Sequence, residues 1–203
     1  SMQRDLSFPS VLWILRQLLH PISFAVILPL YPFILGKVIL FLLLRLRVLS
    51  IPVGDSEKKG KRPSFYPRKL PNALSLLALN QVKKLDAYNA KRREFAVFYI
   101  KVLHGLPIVL PTAYEGDIFL RFNIQVNNPK AIYEFARKRG IYLGLWYANV
   151  IDPKGVDFAS VGYRPSTCPR AENLSAHSLN LPTYPRMSFD DAARVVKVIR
   201  EYF

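Results

Sequence analysis

The sequence predicts an α+β domain carried behind a hydrophobic helical hairpin, and three observations predict it. The stretch "FLRFNIQV" alternates strictly, with Leu120, Phe122, Ile124 and Val126 on one side and Arg121, Asn123 and Gln125 on the other. That is the pattern of a half-buried strand. A short helix with clear ends and a second apolar run, "IYLGLWY", follow it. Ahead of both lies a stretch, residues 6–54, that contains no Asp or Glu.

The 203 residues suffice for one large domain or two small ones. Composition divides them into a hydrophobic, membrane-associating helical segment (1–54), a basic linker (55–69) and a long helix with an α+β domain (70–203). In the first part, "FAVILPLYPFILGKVILFLLL" has Lys37 as its single charge. It is long enough to span a bilayer. Pro29 and Pro32 break it, because each removes a helix donor and crowds the preceding turn, and Gly36 weakens it further. Two helices, 11–28 and 33–48, with "PLYP" as the bend, satisfy both facts. Each would be about 24–27 Å long, short for an upright span and suited to dipping into one leaflet. Arg16 on one side and Arg45 and Arg47 on the other predict that both ends stay cytoplasmic. Lys58, Lys59, Lys61, Arg62, Arg68 and Lys69 follow, and each cation near an anionic leaflet contributes about 1 kcal/mol. The other reading of this segment is packing against protein.

The net charge of +15 points to an anionic partner: a phosphorylated substrate or anionic lipid. Nucleic acid is not expected, since neither zinc-ligand pairs nor an RNP-type aromatic strand occurs. The single Cys168 excludes an intrachain disulfide framework and fits a reducing compartment. His20, His104 and His177 are scattered, which predicts no metal site.

After the linker, apolar residues at Leu70, Leu74, Leu77, Leu85, Tyr88, Phe95, Tyr99 and Val102 keep helical spacing. They predict one helix of about 50 Å, long enough to bridge two domains or subunits. Lys83, Lys84, Arg92 and Arg93 fall off its apolar stripe. "GLPIVLP" reads as a loop or edge segment, a possible source of a third strand. In "NNPKAIYEFARKRG", Asn128 is the expected N-cap, Pro129 the first helical residue and Gly140 the stop, with Ile132, Phe135 and Ala136 inward. In the closing helix, Ser188 and Asp191 have near capping-box spacing, and Val195, Val196, Ile199 and Tyr202 form the buried face.

Three segments in this order carry a resemblance: "LALNQVKKLDAYNAKRREFAVFY", "FLRFNIQVNNPKAIYEFARKRGIYLGLWY" and "CPRAENLSAHSLNLPTYPRMSFDDAARVVKVI". Over about two thirds of its length the chain resembles the C-terminal half of the DegT/StrS family of pyridoxal-phosphate-dependent sugar aminotransferases. The resemblance implies the small domain of a fold-type I aminotransferase, with residues 11–54 similar to a hydrophobic insertion found in some members. It also implies a keto-sugar substrate, nucleotide- or lipid-linked, a homodimer, and a large catalytic domain supplied by a preceding segment or partner subunit. Pyridoxal phosphate would be the cofactor of the full-length enzyme. No Lys in this sequence is followed by anything like the family's "G-E-G-G", so no covalently bound cofactor is expected on this chain, which alone should be inactive.

The family's "G-Y-N-x-R" is here "SFYPRK". Pro67 stands near the Asn position, and Lys69, or Arg68 with a one-residue slip, stands at the Arg position and becomes the candidate cofactor-phosphate contact. The "H-Y-P" after the "GI" strand is here Trp146-Tyr147-Ala148. Trp146, Tyr147, Tyr184 and Arg186 are the candidate substrate-pocket residues, Arg186 as a bidentate anion ligand. A cytoplasmic protein on the cytoplasmic face of a membrane is the expected setting. The alternative is a non-catalytic, membrane-anchored scaffold or partner-binding module derived from that family.

Overall fold

A computed structural model describes residues 6–46, 48–50, 53–63 and 66–203. The flanking cation Arg47 and part of the linker, Ser64 and Phe65, lie outside the described residues. The chain divides into two compact units, Ser1–Lys83 and Lys84–Phe203.

The first unit is helical. Helix α1 spans Val11–Leu30, α2 Ile34–Arg45, α3 Asp55–Lys58 and α4 Asn72–Val82. Ser10 caps α1 by accepting the Trp13 N–H at 3.3 Å. The break, expected over Pro29–Pro32, falls at Tyr31–Phe33: Pro29 sits in the last turn of α1, and Pro32 follows its end. A short turn returns the chain, with the Tyr31 N–H on the Leu28 carbonyl and the Phe33 N–H on the Leu30 carbonyl. Gly36 permits the return. A Cβ there would meet the Leu30 carbonyl carbon at 2.4 Å and the Tyr31 nitrogen at 2.6 Å. This residue, expected only to weaken a helix, is a close-approach position. Helix α2 packs along α1 and ends three residues before its expected end at 48. There the backbone turns back, with the Val48 N–H on the Leu43 carbonyl. Ser50 then reaches α1. Its N–H donates to His20 Nε2 at 3.1 Å, and its hydroxyl donates to Gln17 Oε1 at 3.2 Å. The expected loop after Gly54 holds a one-turn helix, α3, because Glu57 turns back to accept the Gly54 N–H at 2.8 Å. Most apolar side chains of α1 and α2 remain exposed, among them Val11, Ile22, Ile34 and Phe41.

The expected single long helix is two. It stops at Val82 and restarts at Leu85. Helix α4 packs on α1, and α5 (Leu85–Leu103) buries Phe95, Ala96, Tyr99 and Leu103 in the second unit. Lys83 and Lys84, between them, are exposed.

In the second unit, β1 (Phe122–Gln125) pairs antiparallel with β2 (Ser178–Leu181), Phe122 facing Leu181 and Gln125 facing Ser178. The second strand is therefore not "IYLGLWY". That run contributes one bridge, Gly144 to Asn180, on the outer side of β2. Val109 adds a similar bridge to Gln125 on the other side, so "GLPIVLP" does reach the sheet. Leu120, expected inward, is exposed, because β1 begins only at Phe122.

One face of the pair carries Phe122, Ile124, Leu179 and Leu181, all buried. Helices α6 (Pro129–Lys138) and α8 (Phe189–Tyr202) belong to the same core with α5. Asn128 caps α6 by accepting the Ala131 N–H at 3.1 Å, and Gly140 follows it with φ of 74°. Ser188 and Asp191 cap α8 reciprocally. Bonds from the Ser188 N–H and hydroxyl hold the Asp191 carboxyl below its ordinary value.

Candidate functional site

The opposite face of the sheet is polar. Alternation places Asn123 and Gln125 of β1 beside Ser178 and Asn180 of β2. They form a ladder: Gln125 Nε2 donates to Asn123 Oδ1 at 2.8 Å, and Asn123 Nδ2 donates to Asn180 Oδ1 at 3.2 Å and to the Ser178 hydroxyl. Asn180 and Ser178 are buried, so the ladder is fixed rather than solvated.

Two grooves open on this face, and both are lined by Leu120, Arg121 and Asn180. One, of about 560 Å³, runs over the ladder to Trp146 and Tyr147, with Leu174 and Ser175 of α7 (Pro169–His177) on its far wall. The other, of about 400 Å³, runs past Gly144, Thr183 and Tyr184 to Arg92 of α5. The Arg121 guanidinium lies 4.1 Å from the Trp146 ring centre, a cation–π contact that orients both. Among the described residues, neither groove is lined by a carboxylate or a lysine.

The segment after β2 is held from two sides. The Tyr99 hydroxyl donates to the Pro182 carbonyl at 3.0 Å, and the Thr183 hydroxyl lies 2.8 Å from the Phe119 carbonyl. Burial, with Tyr184 and Asp191 adding, holds the Tyr99 hydroxyl well above the ordinary phenol range, so it remains a donor. Beside the larger groove, Glu172 of α7 accepts the Ser166 N–H at 2.7 Å and bonds the Tyr163 hydroxyl. That shared bond pushes the Tyr163 phenol up to about 12 and lowers the Glu172 carboxyl.

Of the residues singled out by sequence, Trp146 and Tyr147 share the larger groove and are 57% and 61% exposed. Tyr184 lines the smaller one. Arg186 is exposed and lines neither. Arg68 and Lys69 belong to the first unit, where Arg68 bonds the Ser7 hydroxyl and Lys69 Nζ lies 5.3 Å from the Phe8 ring centre. Sequence reasoning missed Arg121, Asn123, Gln125, Ser178, Asn180 and Arg92 as site residues. Strand alternation had already put the first three on one side, and "SLNL" carries the same alternation for the next two. Among the described residues no three His, Cys, Asp or Glu converge on a metal position.

Helices packed with a small antiparallel sheet resemble solved aminotransferase structures. The chain belongs to the DegT/DnrJ/EryC1/StrS aminotransferase family, whose model matches residues 44–200. It is 30% identical over 138 residues to a UDP-N-acetyl-3-dehydro-alpha-D-glucosamine 3-aminotransferase of Acidithiobacillus ferrooxidans, covering 66% of this chain and 36% of that protein. It is 27% identical over 155 residues to a pleiotropic regulatory protein of Geobacillus stearothermophilus, covering 71% of this chain and 41% of that one. Among solved structures it is similar to S. venezuelae DesV, with TM-score 0.58, 26% identity and coverage of 71% of this chain and 41% of that one. The chain thus spans 36–41% of the length of these relatives.

The family depends on pyridoxal phosphate. With no lysine lining either groove among the described residues, the groove linings do not fit covalent attachment of that cofactor. Nor does either groove offer a carboxylate to face a pyridine nitrogen.

Proposed function

We propose that this chain is the C-terminal part of a membrane-associated, pyridoxal-phosphate-dependent aminotransferase acting on a keto-sugar linked to a nucleotide or a lipid. The observation that carries the reading is the family match over 44–200, in a chain spanning 36% of the length of a UDP-sugar aminotransferase relative. The reactive lysine and the large domain come from a preceding segment or a partner subunit, and the working form is a homodimer. The cofactor, held there, supplies the amino-transfer chemistry. This chain contributes binding and orientation. The sugar ring lies over Trp146 and Tyr147, and its hydroxyls meet the Asn123–Gln125–Ser178–Asn180 ladder, an aromatic wall with convergent polar groups. The groove linings without lysine also favour a second reading, a non-catalytic membrane-anchored scaffold. The DNA immediately upstream separates the two: an in-frame large domain with a lysine in the family's context supports the enzyme, and a start codon at Met2 supports the scaffold.

The setting is the cytoplasmic face of a membrane. Helix α1 has 20 residues and is long and apolar enough to cross a bilayer, with its apolar side chains largely exposed. Residues 6–54 carry no acid, and the turn at Tyr31–Phe33 returns the chain. Both helices therefore enter one leaflet, and Lys37 reaches the headgroups along its aliphatic stem. Cysteine probes at Ser10 and Ser56 in a Cys168→Ser background should be labelled from the same side of sealed vesicles. Labelling from opposite sides would mean a span, and release by carbonate would mean packing against protein.

A further inference from the structure

Helix α4 is the part of the first unit that a membrane-seated α1–α2 pair leaves out. It carries no charged residue, and Leu76, Leu77, Leu79 and Val82 are 42–68% exposed. Leu76, Leu79 and Val82, three residues apart, follow one side of the helix. With 11 residues it is about 16 Å long, half of what crossing a bilayer takes. Asn72, Ser75, Asn80 and Gln81 make it too polar for the hydrocarbon centre and suit it to the interface. Its entry is tied to that of α1. The Lys69 N–H donates to the Ser7 carbonyl at 3.0 Å, Arg68 bonds the Ser7 hydroxyl, and Lys69 Nζ lies 5.3 Å from the Phe8 ring centre. The two helices thus begin beside each other, and α4 packs on α1.

Charge selects what covers the exposed leucines. Residues 58–85 contain eight Lys or Arg and no Asp or Glu. Two pairs bracket α4, Arg68–Lys69 before it and Lys83–Lys84 after it. Among the described residues these four form no ion pair. Cations at both ends of an uncharged, leucine-rich helix complement a layer of phosphates, which meets both pairs at once while the leucines reach the acyl chains. We infer that α4 is a third membrane-contacting element, seated in the headgroup region of an anionic leaflet with Arg68, Lys69, Lys83 and Lys84 on lipid phosphates. The inference rests on the membrane reading above. It adds a surface beyond α1 and α2 and the class of lipid that holds it.

The test uses the full chain in vesicles of phosphatidylcholine alone or of phosphatidylcholine with phosphatidylglycerol. A nitrobenzoxadiazole probe is placed on a single cysteine, Leu79→Cys on α4 or Ile22→Cys on α1, in a Cys168→Ser background. Phosphatidylcholine carrying a nitroxide near its headgroup quenches a probe that touches lipid. Phosphatidylglycerol should raise quenching at Leu79 by about 5-fold or more, the weight of one cation at a charged leaflet. Quenching at Ile22 should occur in both vesicles and agree within about 2-fold, since apolar burial holds that helix. Arg68→Gln with Lys69→Gln, or Lys83→Gln with Lys84→Gln, should remove most of the gain at Leu79. Arg194→Gln with Lys197→Gln, exposed cations of α8, should leave it within about 2-fold. A measurement with every cation in place guards against misfolding: raising salt from about 0.05 M to about 0.5 M should cut the gain at Leu79 and leave Ile22 unchanged.

Quenching at Ile22 without quenching at Leu79 in the mixed vesicles would overturn the inference and leave the α1–α2 reading standing; it is the pattern expected where protein covers α4. Quenching at Leu79 that is equal in the two vesicles, or that keeps its gain in both double variants, would also overturn it. No quenching at either position would overturn the membrane reading and this inference with it.

Discussion

Tyr99→Ala is expected to lower the melting temperature of the second unit by roughly 10–20 °C, the consequence of losing about 3–5 kcal/mol. Tyr99 is fully buried, and its ring packs 5.3 Å from Phe122 and 5.9 Å from Phe98, centre to centre. Truncation leaves a ring-sized cavity between α5 and the sheet. It also strips the Pro182 carbonyl of its donor, just where the chain enters the groove wall at Thr183 and Tyr184. Tyr99→Phe separates the two effects. It keeps the ring and should cost about 1–2 kcal/mol for the orphaned carbonyl. Thermal melts followed by circular dichroism check both, and an alanine variant melting within about 2 °C of the parent would remove Tyr99 from the centre of this core.

The second large effect is expected at Gly36. An added methyl meets backbone atoms of Leu30 and Tyr31 at 2.4–2.6 Å, and backbone cannot swing aside as a flexible side chain can. Gly36→Ala should therefore force α2 away from α1 at a cost of about 3 kcal/mol, the upper range of overpacking. The readout is cross-linking by a short bismaleimide between Gln17→Cys and Ser50→Cys in a Cys168→Ser background, positions whose native side chains touch at 3.2 Å. Cross-linking should fall by about 10-fold or more. An unchanged rate would mean that the turn opens without consequence.

The parts of the fold that sequence revealed are those with redundant signals. For α6, a capping side chain, an N1 proline, a stop glycine and an apolar face agree, and Asn128, Pro129, Gly140, Ile132 and Ala136 stand where that agreement puts them. For α8, the Ser188–Asp191 spacing and the stripe through Val195 and Ile199 do the same. The missed parts carried a single, weak signal. "SLNL" is four residues long, too short for alternation to outweigh its place in a loop-rich tail. "IYLGLWY" is apolar enough for a strand, but Trp146 and Tyr147 turn outward into the groove and pairing stops at Gly144. The break at Lys83–Lys84 was hidden because both flanking segments keep helical period. What ends the helix is the change in what each half packs against, which no local pattern records. The same holds for the site. Trp146, Tyr147 and Tyr184 came from resemblance, whereas Arg92 becomes a groove residue only when α5 is laid against β2. Off-stripe position on a helix ordinarily means solvent.

The central proposal is that the reactive lysine lies outside this chain. The most direct measurement is titration of the purified chain with pyridoxal phosphate, reduction with borohydride and mapping of modified lysines by mass spectrometry. The predicted result is low, scattered modification of exposed lysines with no site approaching one equivalent. A stoichiometric adduct at a single lysine would contradict it.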